Sequence, residues 1–153
     1  MLILLVIAAI FGTFIAFKFK GLFHKVISIG QTIFILGLLI SILLIRATHN
    51  YIIAGDFIVV ALLSITTVIY GLTVKGISIF EKISITIMGL FLTNSLIFKL
   101  MHYPFAGLIQ LSMIVPIIIT LTVFIKDRRL TKEMSFMIFW LFYAISKLTF
   151  WTL

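Results

Sequence analysis

Four polar residues interrupt stretches of this chain that are otherwise apolar: Asp56, Asn94, Gln110 and Lys147. Asp56 is the only acid within such a stretch, because Glu81, Asp127 and Glu133 fall in the gaps between stretches. It stands roughly 7–8 Å from the start of its stretch at the helical rise. An ionisable group at that depth is costly in hydrocarbon and marks a functional position by default. Lys147 is the one basic residue well inside a stretch and is the candidate partner of Asp56. With Asn94 and Gln110 the two would line a polar pocket open at one face, able to bind a solute or relay a proton. The same residues would also serve as an internal ion pair, Asp56 with Lys147 or Arg46, that locks helices together.

A second pattern lies between stretches. Arg46 and His49, and again Lys99 and His102, are a cation and a histidine separated by two residues. The second copy continues into Tyr103 and Pro104. A cation at the end of a helix meets the negative end of the macrodipole, and its long stem can reach the headgroups. Pro104 suits the first turn of the next helix, and His102 can bond exposed carbonyls of the helix before it. A ligand or proton-handling role for His102 is the functional alternative. His49, His102 and Asp56 would make a metal site only if three separate placements coincided, so neither metal nor cofactor is expected. There is no paired-acid arrangement, glycine-rich phosphate loop or HExxH, and no activated nucleophile can be assembled. The chain has no cysteine, which excludes disulfides and thiolate chemistry. A non-enzymatic role follows.

The elements that must position these residues are helices in a membrane. Of 153 residues, 63% are hydrophobic and 10% charged, with a mean hydropathy of +1.37. A soluble domain of this length could not bury so much apolar surface. About 20 apolar residues cross a bilayer, so the expectation is an all-α bundle of six transmembrane helices forming one domain over 1–153. The spans are read as 2–17, 26–45, 51–74, 83–98, 105–125 and 134–151, and the fourth, being shortest, either starts earlier or meets a thinner bilayer. Pro116 falls inside the fifth and would kink it. Gln31 reads as an interhelical hydrogen-bonding group. Ala8 and Gly12 form one small-xxx-small pair, too little to set an oligomeric state.

Charge gives the orientation. One set of gaps carries Lys18, Lys20, Lys25, Lys75, Lys82, Lys126, Arg128, Arg129 and Lys132, and the other side receives Arg46, Lys99 and Lys147. The positive-inside rule puts the first set in the cytoplasm and both termini outside, in the periplasm if the envelope has one. Tyr51, Tyr103 and Trp151 fall near the outer boundary and Tyr70 near the inner one, as aromatic belts require, while Trp140 and Tyr143 lie deeper and pack against neighbours. The start, MLILLVIAAIFGTFIAF, lacks a basic region and a small-residue cleavage site, and reads as a retained helix. The net charge of +8 reflects these flanking lysines rather than nucleic-acid binding, since no basic face is long enough to follow a phosphate backbone.

Residues 37–58 can be laid over 90–111, matching Leu39 with Leu92, Leu43 with Leu96, Arg46 with Lys99 and His49 with His102. Helical hairpins 2–3 and 4–5 would then be parallel repeats, unlike the inverted repeats of many transporters. The second copy, Phe98-Lys99-Leu100-Met101-His102-Tyr103-Pro104-Phe105-Ala106-Gly107, resembles a hairpin turn of small Bacteroidota membrane proteins. The family it resembles is that of GldL, the membrane subunit of the gliding-motility and type IX secretion motor. The likeness covers about 40 residues, around 85–125. It implies a turn facing the periplasm and a place in an envelope complex. Tyr103 stands where that family has tryptophan, Phe105 stands where its glycine follows proline, and 114–119 lacks its functional glutamate. The hairpin therefore carries over and the proton-driven motor does not.

The sequence thus leads to a non-enzymatic inner-membrane subunit or scaffold whose partners are the bilayer and other membrane proteins. The alternative is a small transporter or proton-linked channel using Asp56 and Lys147.

Overall fold

The computed structural model describes the backbone of residues 2–43, 49–100, 106–127 and 131–149, and side chains over 3–40, 57–98, 107–108, 110–126 and 131–148. These residues form seven helical segments and no strand: α1 (Leu2–Lys18), α2 (Phe23–Leu43), α3 (His49–Thr73), α4 (Ile79–Leu100), α5 (Ala106–Leu111), α6 (Ile114–Asp127) and α7 (Met134–Thr149). Two apolar stretches, Phe23–Ile40 and Ile79–Phe98, are long and apolar enough to cross a membrane. Ile3–Lys18, Phe57–Thr73, Ile114–Lys126 and Met134–Leu148 are apolar but shorter, so the expected six full spans are met by two among the described residues.

Local chemistry sets the boundaries. The turn after α1 uses Gly21 at φ 140°, a conformation side chains avoid. It lets α2 begin at Phe23, earlier than the charge pattern implied. His24 then folds back under α1, its Nε2 lying 3.2 Å from the carbonyl of Ala16, one of the last-turn acceptors that a helix leaves open. At α4, Ser78 and Glu81 form a reciprocal capping box: Ser78 N donates to Glu81 Oε2 at 3.0 Å and Glu81 N donates to Ser78 Oγ at 3.2 Å. This cap starts α4 at Ile79 rather than Ile83. The expected fifth helix is two pieces. Pro116 has no N–H for the carbonyl of Ser112, and that carbonyl instead accepts from Val115 N at 3.0 Å in a tightened turn. The break therefore lies just before the proline, at Ser112 and Met113.

α7 is the hub. It packs against α1, α2, α4, α5 and α6, while α1–α2, α2–α3, α3–α4 and α4–α6 are neighbours around it. Ser135, Phe136, Phe139, Trp140 and Ala144 are wholly buried. Phe139 and Tyr143 stack at 6.2 Å, and Phe34 of α2 meets both rings edge-on, at 6.3 and 5.8 Å. α1 lies so close to α7 that a Cβ on Gly12 would overlap the carbonyl oxygen of Ser135. The small-residue face of Ala8 and Gly12 is thus spent inside the chain, against α7.

The outer surface is apolar. Ile7, Phe14, Ile33, Leu62, Leu90 and Ile118 are all exposed, and every helix except α7 presents large hydrophobic side chains outward. In the two longest apolar stretches only 33% of residues are buried within the chain.

Candidate functional site

Of the polar residues singled out from the sequence, two meet, one stands apart and the side chain of one lies outside the described residues. Gln110 of α5 and Lys147 of α7 meet: the Gln110 amide donates to the backbone carbonyl of Lys147. The Lys147 ammonium stands 5.1 Å from the centre of the Tyr143 ring, a cation–π contact. Asn94 is exposed on α4 and does not join them. Asp56 lies on the backbone of α3, but its side chain is outside the described residues, as are those of His49 and Lys99. Arg46, His102, Tyr103 and Pro104 lie outside the described residues altogether.

Buried polar groups gather instead along α3 and α7 toward the lysine-rich end. Gln31, 1% exposed, donates from Nε2 to the carbonyl of Phe136 at 3.1 Å, tying α2 to α7. Ser28 donates to Ser135 at 3.3 Å, and Trp140 Nε1 donates to Thr67 Oγ1 at 3.0 Å. Thr93 donates to Ser64 at 3.0 Å, and Ser84 shares a 3.0 Å bond with Thr120. Every buried polar side chain among the described residues has a hydrogen-bond partner within the chain. Some of these bonds fasten one helix to another and the rest close within a helix.

Glu133 stands apart within this set. The charge pattern placed it in a gap, yet it is 4% exposed, folded back under α7 at the lysine-rich end of the bundle. Tyr70 of α3 donates its hydroxyl to Glu133 Oε1 at 3.0 Å, and Lys132 Nζ lies 3.8 Å from the same oxygen. Tyr70 is therefore an interior residue near the helix end, and not a lipid-facing belt aromatic as expected. Glu133 lines an open cleft of about 330 Å³ with Glu81, Ser84 and Ile85 of α4, Val123 and Phe124 of α6, Thr131, and Met134 and Met137 of α7. The two carboxylates whose side chains are described thus face one space. Sequence reasoning missed this site. Its one visible signal was an acid directly before the last apolar run, which reads equally well as a helix-start charge.

No group of three metal-liganding side chains occurs among the described residues. Compared with protein-family models, with curated proteins and with solved structures, the chain matches none.

Proposed function

We propose that this chain is a multi-pass integral membrane protein without enzymatic activity, a subunit or scaffold that packs against other membrane proteins. The observation that supports it is the distribution of side chains: apolar residues cover the outside as well as the core, and the buried polar side chains are hydrogen-bonded within the chain. In water such a surface would aggregate; in a bilayer it is the stable arrangement, with helices held by close packing and buried hydrogen bonds. On this reading the shorter helices are stabilised by neighbours and by a locally thinned bilayer. The lysine-rich end faces the cytoplasm and both termini face outward, in an inner membrane. The turn around Lys99, His102, Tyr103 and Pro104 is the docking point for partners in an envelope complex, as its likeness to the GldL family suggests.

The test is a pull-down from native membranes in mild detergent, comparing wild type with His102→Ala. Stoichiometric partners that are lost in the variant support the reading, and a solitary protein in both samples overturns it.

Small-solute or proton transport is the second reading. It draws on position 56, about three turns before Thr67 on a helix whose Ser64, Thr67 and Tyr70 are all buried. Asp56→Asn would then abolish flux in reconstituted vesicles while leaving expression intact. A variant that loses only thermal stability would return Asp56 to a structural ion pair.

A further inference from the structure

The inner cleft has a chemistry that the fastening network does not use. Glu133 is buried, yet Tyr70 and Lys132 both address its Oε1, and Oε2 takes no hydrogen bond from the described residues. A carboxylate offers about four lone pairs, and a charge this enclosed is stable only when it is paired. Glu81 lines the same space, with the Ser84 and Thr131 hydroxyls between apolar walls of Ile85, Val123, Phe124 and Met137. Cations stand beside the cleft. Lys132 is about one-third exposed, and Lys126 reaches from α6 to lie 4.3 Å from the centre of the Phe80 ring, next to Glu81. The cleft lies where α4 and α7 begin and α6 ends, and α6 also carries exposed Ile118, Leu121 and Ile125.

We propose that this cleft binds the headgroup of a phospholipid ending in a primary ammonium, as in phosphatidylethanolamine. Glu133 and Glu81 receive the ammonium, Lys132 and Lys126 meet the phosphate, and the acyl chains lie along α6. The cleft is small and partly open, which admits the ammonium end of a headgroup rather than a whole lipid. The primary ammonium is favoured over a quaternary one because it carries three N–H donors for the carboxylate and hydroxyl acceptors. An anionic headgroup without the ammonium would bring further negative charge against the two carboxylates.

The proposal rests on the membrane reading, so extraction comes first: the chain must stay with the membrane through alkaline carbonate and be released by detergent. A chain that washes off overturns that reading. Detergent-purified protein is then loaded with an equimolar mixture of phosphatidylethanolamine, phosphatidylcholine and phosphatidylglycerol, and retained lipid is read by native mass spectrometry. Free phosphoethanolamine is added as a competitor in a separate arm. Wild type should retain the ethanolamine lipid about tenfold over the choline lipid, the worth of one charge-assisted hydrogen bond. Glu133→Gln should lose most of that preference. Glu81→Gln, which keeps its capping box because glutamine serves as well there, should lose part of it and must fold. Equal retention of all three lipids by a membrane-extracted wild type, or an unchanged preference in folded Glu81→Gln and Glu133→Gln, overturns the proposal. Full displacement by free phosphoethanolamine would show a soluble ligand instead and overturn the assignment to lipid.

Discussion

Tyr70 and Glu133 join the middle of the chain to its last helix. The phenol donates to the carboxylate at 3.0 Å, both groups are buried, and neither helix alone could hold the other in place. The bond fixes α3 relative to the entry of α7, the helix on which the bundle is centred. Tyr70→Phe keeps the ring contact with Phe136 at 5.6 Å and removes only the donor. We expect a loss of about 1–3 kcal/mol, the usual cost when a buried charged acceptor loses a partner. Thermal unfolding in detergent checks this, and an unchanged midpoint would mean that Lys132 alone satisfies the carboxylate.

Trp140→Phe isolates a second fastening. It removes the Nε1 donor to Thr67 while keeping most of the aromatic volume at a fully buried site. Interhelical bonds inside membranes average about 0.6 kcal/mol and reach about 1.7, so the midpoint should fall slightly. Trp140→Ala should cost about 3–5 kcal/mol through the cavity it opens. Similar losses in the two variants would show that the bond, and not the ring, carries the site.

Gly12→Ala tests the contact between α1 and α7. One added methyl meets backbone at Ser135, which cannot move aside as a side chain would. Overpacking of this kind costs about 1–3 kcal/mol and sometimes more. A Gly12→Ala protein as stable as wild type would contradict the close approach.

Topology can be read without background labelling, because the chain has no cysteine. Lys20→Cys and Lys75→Cys should resist a membrane-impermeant maleimide in intact cells and react after lysis. Arg46→Cys should react before lysis. The reverse pattern would invert the orientation.

How much of this was legible in the residues depends on distance along the chain. The helices themselves were plain from apolar run lengths, and Gln31 could be read as a fastener because an amide inside a span has few other uses. The proline was visible too. Its effect lies four residues earlier, since the carbonyl it orphans belongs to Ser112 and not to Pro116. Glu133 and Tyr70 were misread for one shared reason, which also hid the inward turn of His24. Each sits at the end of an apolar run, where sequence offers only the headgroup region, and each is turned inward by a contact made elsewhere in the chain. The pocket of Asp56, Asn94, Gln110 and Lys147 assumed that polar residues at one depth must share a face. Asn94 does not, because its position on α4 points away from the packed side.

The position of α7 carries a consequence for assembly. A chain emerging from its N-terminus places α1 to α6 before the helix on which the bundle is centred. Until α7 arrives, Gln31 lacks the carbonyl of Phe136, Thr67 lacks the indole of Trp140, and Tyr70 lacks Glu133. The early helices therefore wait in an open ring, with polar groups turned toward a gap that only the later part of the same chain can fill. A ribosome stalled before Met134 would leave an intermediate that a chaperone or quality-control protease can recognise by those exposed donors and acceptors.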